Sequence, residues 1–421
     1  MKIFKFGGAS VKDAESIKNV VSVLNYTGYD NTIIVISAIG KTTNLLEKLV
    51  KDYVSKSTNL KNTFHELIDS HLKILNELNF NNNSKLVSDV KKIIQKIKFF
   101  LDNNKSPNYD FIYDQVVSFG EIISTTIVSQ YLNSAGILNK LIDAREIIKT
   151  DSYYRDSNVD WEISQSKIKK TFNSNGVYIT QGFIGSDYNN FSTTLGREGS
   201  DYTAAIIAYS IDAKEVIIWK DVPGVLNADP KEFKKTKLLN KISYGEAIEL
   251  AYYGASVIHP KTLQPLQKKE IPLIVKSFMN PEGKGTIVSK GSDIDPLIPC
   301  YIVKKNQVLL RLSSLDFSFI VENNISEIFH LLDKFKMKVD LIQNSAISFS
   351  VCIHDKYNSL DQLIAELKPK FKVQSFEGVS LYTIRHFNSD KSDLLSKKNV
   401  NLLLEQRLEN TLQLVVKIKN I

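Results

Sequence analysis

The sequence predicts an α/β protein, with a mostly parallel sheet sandwiched by helices, followed by a smaller ferredoxin-like α+β region. Three observations support this fold class. Strand-like segments in the first 290 residues are continuously apolar, as in strands buried on both faces. Amphipathic helical patterns separate these segments. After residue 300 the predicted order becomes strand, helix, strand, strand, helix, strand.

The composition excludes several classes of protein. The 421 residues, 43% of them hydrophobic, are enough for about two to four folded domains. The net charge of +8 comes from scattered lysines, with only six arginines, whereas nucleic-acid-binding proteins cluster basic residues on one face. Cys300 and Cys352 lack metal-ligand or disulfide-framework spacing. Without a signal peptide or an apolar run of about 20 residues, we expect a cytoplasmic protein with no nucleic-acid or membrane partner.

The first 40 residues predict a strand, a turn, a helix and a second strand. Lys2 to Phe6 is short and apolar-aromatic, and two glycines end it. Asp13 is the predicted N-cap of the helix. The apolar face of this helix follows the helical spacing and consists of Ile17, Val20, Val21 and Leu24. Thr32 to Ser37 is the second buried strand.

The pattern continues to about residue 290, which predicts one α/β domain over 1–290. Residues 44–104 form lysine-rich amphipathic helices, and Asp110 to Leu132 forms another, interrupted by Gly120. Later helices are predicted at Asp201 to Ser210 and Tyr244 to Tyr253. The remaining strands are predicted at Lys140 to Asp143, Val177 to Gln181, Glu215 to Trp219 and Pro272 to Lys276.

The C-terminal region predicts a ferredoxin-like domain over 300–376. Residues 377–421 contain strand-like pieces without a full set of helices, which indicates a second, shortened copy. The predicted elements are strands at Gln307 to Leu312, Lys338 to Ile342, Ile347 to His354 and Lys372 to Phe376, and helices at Ile325 to Phe335 and Leu360 to Leu367.

Three segments carry candidate chemistry, and each also has a structural interpretation. KFGGAS (Lys5 to Ser10) places a lysine at a strand end and two glycines in the turn before a helix, where backbone N–H groups can bind phosphate, although such a turn also fits a tight connection. In STTLGREGSDYT (Ser192 to Thr203), Arg197 suits bidentate recognition of an anion or is a surface arginine, and Asp201 taken alone is a helix cap. WKDVPGVLNADP (Trp219 to Pro230) is a ligand-binding loop at a strand end or a structural crossover.

Together with SFGE (Ser118 to Glu121) and YGASVIHPKT (Tyr253 to Thr262), these segments resemble, in order and spacing, the aspartate kinases of the amino acid kinase superfamily. The resemblance covers essentially the whole chain, because those enzymes have C-terminal ACT domains with the ferredoxin-like pattern. It implies transfer of the γ-phosphoryl group of ATP to the β-carboxylate of L-aspartate, the first step of lysine, threonine and methionine synthesis. That carboxylate is ionised at neutral pH, so the reaction needs no general base, and His259 is interpreted as a packed or loop-orienting residue.

The resemblance also implies roles for individual residues. Lys5 supplies positive charge to the transferring group, and Asp201 holds Lys5 or the substrate ammonium in place. Mg2+ arrives on the nucleotide, and no protein metal site is expected. The implied nucleotide-binding residues are Lys5, Gly7, Gly8, Ser10, Lys220, Asp221 and Lys231. The implied aspartate-binding residues are Arg197, Ser200 and Thr43 for the α-carboxylate and Glu121 for the ammonium.

Three positions depart from the family pattern. Glu198 stands where many relatives have glycine, Leu226 where they often have tyrosine, and Ser256 where a lysine is common. Whether Lys261 substitutes for that lysine is left open. The ACT region implies a lysine or threonine effector and a homodimer formed through the ACT domains, or dimerisation alone. Alternatives are another anionic substrate, such as N-acetylglutamate, glutamate or UMP, and a degraded amino-acid sensor.

Overall fold

The computed structural model describes residues 1–80, 84–255, 257–291, 294–387 and 400–418. Its internal contacts divide the chain into two compact units. The first comprises Met1–Val225, Leu238–Ile248 and Val257–Pro296, and the second comprises Leu226–Lys237, Glu249–Ser256 and Leu297–Ile421. Two short segments before residue 290 therefore group with the C-terminal unit. The predicted domain limits of 1–290, 300–376 and 377–421 stay predictions.

The first unit contains an eight-stranded sheet in the order β3-β4-β2-β1-β7-β9-β10-β8, with β5 and β6 paired as a separate hairpin. All neighbours in the large sheet are parallel except β9 and β10. The strands are β1 (Lys2–Phe6), β2 (Thr32–Ile36), β3 (Lys140–Ile142), β4 (Val177–Gln181), β5 (Ile184–Ser186), β6 (Ser192–Thr194), β7 (Glu215–Lys220), β8 (Lys241–Ser243), β9 (Leu273–Ser277) and β10 (Thr286–Ser289).

Helices follow most of these strands, so the predicted mostly parallel α/β sheet is confirmed. A short 3-10 turn (Gly8–Val11) comes directly after β1. The helices are α1 (Ala14–Thr27), α2 (Thr42–Val54), α3 (Leu60–Glu77), α4 (Lys85–Asn103), α5 (Tyr109–Val117), α6 (Phe119–Ser134), α7 (Ala144–Ile147), α8 (Trp161–Thr171), α9 (Gly199–Ile211), α10 (Tyr244–Tyr253) and α11 (Pro260–Lys268).

The core of this unit explains the apolar strands. β1 lies between β2 and β7, and the side chains of Phe4 and Phe6 are fully buried. Trp219 on β7 stacks on Phe6, with ring centroids 6.1 Å apart. The predicted cap of α1 is confirmed, because the Asp13 carboxylate accepts from the backbone N–H of Ser16 at 2.8 Å. Three of the four predicted face residues of α1 are fully buried: Ile17, Val20 and Leu24.

The single helix predicted over Asp110 to Leu132 is wrong in one respect. It is two helices, and the break lies at Ser118 rather than at Gly120. Gly120 is helical, and a Cβ there would lie 3.1 Å from the Leu46 side chain and 3.2 Å from that of Ala38. The glycine therefore serves the close approach of α6 to the segment after β2, not a break in the helix.

The second unit contains a six-stranded antiparallel sheet in the order β12-β13-β11-β14-β16-β15. Its first six elements have the predicted ferredoxin-like order. They are β11 (Cys300–Ser314), α12 (Glu322–Lys334), β12 (Lys338–Asn344), β13 (Ser348–His354), α13 (Leu360–Leu367) and β14 (Phe371–Arg385), followed by β15 (Val400–Arg407) and β16 (Thr411–Ile418).

This sheet is longer than predicted because β11 and β14 pair along most of their length, with an irregularity between Lys304 and Val308. β14 continues past residue 376, and β16 pairs with its second half. Among the helices in the described part of the chain, none is both long enough and apolar enough to cross a membrane.

Candidate active site

A cavity of about 340 Å³ lies in the first unit, where β1 and β7 end and α9 begins. The carboxyl ends of parallel strands are where open α/β sheets bind ligands. The residues that line the cavity come from six separate segments of the chain. They are Lys5, Gly8, Ser37, Ala38, Gly40, Thr43, Asn44, Glu121, Phe183, Gly196, Glu198, Gly199, Ser200, Asp201 and Lys220.

Two lysines share one buried carboxylate at the floor of this cavity. The Nζ atom of Lys5 lies 2.6 Å from Oδ1 of Asp201, and that of Lys220 lies 3.4 Å from Oδ2. Burial alone raises the pKa of Asp201, but the charges of Lys5 and Lys220 outweigh it and hold this pKa below its usual value. The three groups together carry a net charge of about +1, which suits a phosphoryl group.

The glycine turn after β1 lets the backbone come close to this charge. A Cβ on Gly8 would lie 3.1 Å from the carbonyl oxygens of both Ala38 and Gly40, and one on Gly7 would lie 3.2 Å from the Lys5 ammonium. The turn is closed by the backbone N–H of Ser10, which donates to the Gly7 carbonyl at 2.9 Å. A side chain at Gly8 would therefore crowd two backbone carbonyl groups, whereas one at Gly7 would meet only the flexible end of Lys5.

Glu121 brings a second buried carboxyl group to the cavity, from the first turn of α6. Its Oε1 accepts from the Ala38 N–H at 3.3 Å, and its Oε2 has no hydrogen-bond partner among the described residues. Because its side chain is 2% exposed, burial raises the pKa of Glu121 to about 8. An unpaired carboxyl oxygen of this kind is suited to a ligand that donates hydrogen bonds.

The loop between β6 and α9 closes another side of the cavity through tight glycine contacts. A Cβ on Gly199 would lie 2.6 Å from the Phe183 ring. Lys261 supports the loop from outside, since its ammonium donates to Asp156 at 2.7 Å and to the Leu195 carbonyl at 3.2 Å. The Lys261 ammonium is thus occupied by contacts with this loop. Ser256, where many relatives have a lysine, lies outside the described residues.

Seven of the predicted site residues line the cavity: Lys5, Gly8, Thr43, Glu121, Ser200, Asp201 and Lys220. Asp201 is an early residue within α9, whose N-cap is Glu198, so its interpretation as the helix cap is wrong. His259 caps α11 through its ring Nδ1, as expected of a loop-orienting residue.

The other predicted site residues are placed differently. Gly7 forms the turn but is not among the lining residues, and the Ser10 hydroxyl donates to the Trp219 carbonyl at 3.1 Å. The side chains of Arg197 and Asp221 are exposed and do not line the cavity. Lys231 belongs to the second unit and is also exposed. Their roles stay predictions.

From the segment after β2, sequence reasoning named only Thr43 and missed Ser37, Ala38, Gly40 and Asn44. The signal was available, because β2 was predicted as a parallel strand and such strands end at the ligand-binding edge. Phe183 was also missed. It follows β4 in the left-handed backbone region, at φ 72°, where no pattern of apolar residues marks it.

Replacing Gly182 by alanine is expected to lower activity strongly. A Cβ there would lie 2.5 Å from the Cβ and 2.6 Å from the Oγ of Ser200, so the start of α9 must move. The family resemblance implies that Ser200 contacts aspartate, so we expect the KM for aspartate to rise and kcat to fall, about tenfold or more in kcat/KM. Gly176→Ala is the matched control, since its nearest neighbour is the Tyr178 ring at an ordinary 3.6 Å. Equal kinetics for both variants would contradict the assignment of Ser200.

Comparison with known proteins identifies the family. The sequence model of the amino acid kinase family matches residues 1–277. Aspartokinase 1 of the Arabidopsis thaliana chloroplast is 30% identical over 403 residues, which cover 91% of this chain and 70% of that protein. The structure of Escherichia coli aspartokinase III in complex with lysine and aspartate, in the T-state, is 26% identical. The superposition covers 99% of this chain and 95% of the Escherichia coli chain, with a TM-score of 0.80.

A second structure of the same enzyme, in complex with aspartate and ADP in the R-state, also has a TM-score of 0.80 and covers 99% of this chain and 96% of its own. The likeness therefore extends over both units of the chain, and the predicted fold class is confirmed. The chain belongs to the amino acid kinase family and, within it, to the aspartokinases, which use ATP to phosphorylate L-aspartate.

Proposed function

We propose that the phosphoryl group passes from ATP to aspartate in the cavity around Lys5 and that the second unit regulates this reaction. The observation that supports the site best is the pair of lysines on one buried carboxylate, Asp201. Asp201 holds both ammonium groups at the strand ends, and the glycine turn directly beside them leaves room for phosphate oxygens.

The β-carboxylate of aspartate attacks the γ-phosphorus atom of ATP. The new bond joins that carboxylate oxygen to phosphorus, and the bond to the bridging oxygen of ADP breaks, so the products are 4-phosphoaspartate and ADP. No proton has to leave the nucleophile. Lys5 and Lys220 stabilise the negative charge on the transferring group and on the leaving oxygen. Backbone N–H groups of the turn at Gly8 bind phosphate oxygens.

The other end of the substrate is recognised by groups on the opposite elements. Glu121 accepts hydrogen bonds from the α-ammonium through its unpaired Oε2. Ser200 and Thr43 donate to the α-carboxylate, and Arg197 reaches it from the exposed rim of the same loop. Asp221, Lys231, Gly7 and Ser10 are assigned to nucleotide binding by family resemblance alone.

Mg2+ enters this scheme on the phosphates of the nucleotide. Within the described residues, no group of three or more His, Cys, Asp or Glu side chains could hold a metal ion by itself. A magnesium ion on a nucleotide is bound mainly by phosphate oxygens and water. When bound, it neutralises charge on the phosphates.

Capture of the product tests the enzymatic function. Incubation with ATP, Mg2+, L-aspartate and hydroxylamine is expected to give aspartyl hydroxamate, because hydroxylamine attacks the acyl phosphate. N-acetylglutamate, glutamate and UMP serve as competing acceptors. Absence of hydroxamate over a range of pH and enzyme concentration would favour the amino-acid sensor instead.

The second unit supports a homodimer that binds an amino-acid effector. Within its ferredoxin-like order, the loop between β11 and α12 contains exposed apolar side chains, of which Phe317 is 83% and Phe319 71% exposed. Exposed aromatic side chains in one segment indicate an interface. Aspartokinase III was solved with lysine, so lysine is the first candidate effector, with threonine as the second.

A thermal titration tests the effector. Lysine is expected to raise the melting temperature by several degrees at concentrations well above its Kd, since a ligand that binds only the folded state stabilises it. Threonine is titrated in parallel, with norleucine as a control that lacks the charged end of lysine. Flat curves with both lysine and threonine would leave dimerisation as the role of this unit.

A further inference from the structure

Glu198 has a backbone conformation that its side chain disfavours. Its φ is 53°, in the left-handed region. Glycine adopts this conformation without steric cost, whereas a residue with a Cβ is strained there. Strained residues of this kind persist where the surroundings hold them, often at functional sites. The contacts of the Glu198 side chain are consistent with such a role.

The side chain of Glu198 lines the cavity, and its Oε2 atom is buried with no hydrogen-bond partner among the described residues. The same is true of Oε2 of Glu121, whose side chain is 2% exposed. Both lysines of the cavity are already paired with Asp201. Two residues that line one cavity thus each have a buried carboxyl oxygen that no described protein group satisfies.

A cationic group on a ligand would supply hydrogen-bond donors and a compensating charge for these two carboxyl groups. Aspartate and ATP are both anions, so an extra carboxylate repels them unless it meets their positive part. The only cation on aspartate is the α-ammonium, which has three N–H donors and can serve two carboxyl groups at once. We propose that Glu198, together with Glu121, binds the α-ammonium of the substrate and thereby selects an α-amino diacid over a plain diacid.

This inference rests on the proposed binding of aspartate in the cavity. It goes beyond that proposal because it adds Glu198, which has no role in the proposed mechanism, as a specificity-determining residue. The divalent ion of the nucleotide is the other cation available. We assign Glu198 to the ammonium because one substrate group then satisfies both unpartnered oxygens.

The test compares two ligands that differ only in the ammonium group, aspartate and succinate. Glu198→Gln keeps the size of the side chain and removes its charge, and Glu15→Gln, on an exposed carboxylate of α1, is the matched control. For Glu198→Gln we expect the KM for aspartate to rise about tenfold, with a much smaller change in kcat. Succinate inhibition should stay the same or become tighter, because a repulsive charge is gone.

The variant Glu198→Gly distinguishes the effect of the side-chain charge from the effect of the backbone conformation. This variant is expected to melt at a higher temperature than the wild type, since glycine relieves the left-handed conformation, and to weaken aspartate binding as Glu198→Gln does. Aspartate binding is also measured by calorimetry without nucleotide, so that a failure of catalysis and a failure of this inference are distinguishable.

Three outcomes would overturn the inference: an unchanged KM for aspartate in Glu198→Gln, an equal weakening of aspartate and succinate, or a shift confined to the Mg2+ dependence. The last would assign Glu198 to the ion on the nucleotide.

Discussion

Replacing Lys5 by methionine is expected to lower kcat about a thousandfold. The ammonium group of Lys5 is 2.6 Å from Asp201 and is held at the end of the central strand β1, where it cannot move far. Methionine keeps most of the length of the side chain and removes its charge. Because the reaction uses no general base, the loss falls on stabilisation of the transferring group, and kcat should fall far more than the KM for aspartate rises.

A loss of folding must be separated from this loss of charge. Without Lys5, the buried Asp201 keeps only the longer contact to Lys220, at 3.4 Å, and an unpaired buried carboxylate is destabilising. The double variant Lys5→Met with Asp201→Asn removes that penalty, so it should melt closer to the wild type yet stay inactive. Lys2→Met is the matched control, since Lys2 also lies on β1, at the end of the strand opposite to Lys5, and forms an ion pair with Glu215. Wild-type turnover in the double variant would disprove the role of Lys5.

The position of Lys5 could be predicted from sequence because it depends on short-range information. A buried strand followed by two glycines places the last lysine of that strand at the ligand-binding edge of a parallel sheet. Lys220, the lysine at the end of β7, is assigned by family resemblance, and the same rule is consistent with its position. The prediction for Lys5 needs only the strand limits, which the continuous apolar runs define well.

Other features depend on long-range packing, which no local pattern reveals. The hydroxyl of Ser10 contacts the Trp219 carbonyl, 209 residues away in the chain. The grouping of Leu226–Lys237 with the second unit has the same origin. The burial of Glu121 depends on how closely α6 approaches the segment after β2, so its unusual pKa could not be predicted from the SFGE motif.

The unusual pKa of Glu121 gives the second prediction of large effect, the pH dependence of aspartate binding. The pKa of Glu121 in the folded protein is about 8, so the group is mainly protonated at neutral pH. It has to lose its proton before it can bind an ammonium group as a carboxylate. The KM for aspartate should therefore fall as pH rises, by up to about tenfold per unit below pH 8, and level off above it.

The variant Glu121→Gln should remove this dependence. Glutamine can still accept from the Ala38 N–H, but it carries no charge, so the KM for aspartate should be about a hundredfold higher than that of the wild type at pH 8 and nearly constant from pH 6 to 8. A wild-type KM that does not change over this range would contradict the assignment, whereas the Glu15→Gln control should follow the wild type.

The stability of the fold should depend on the protonation of Glu121 in the opposite sense to aspartate binding: it should decrease as pH rises. Between the ordinary pKa of about 4.5 and the folded pKa of about 8, the folded state binds a proton that the unfolded state has lost. The free energy of unfolding contributed by Glu121 therefore decreases as pH rises through this interval, by up to about 1.4 kcal/mol per pH unit, and stays constant above it. Glutamine does not ionise, so the Glu121→Gln variant does not lose stability as pH rises through this interval. It should therefore melt at a higher temperature than the wild type at pH 8 while binding aspartate less well. A substitution that stabilises the fold and weakens the substrate complex is expected only if the buried carboxyl group is kept for the ligand.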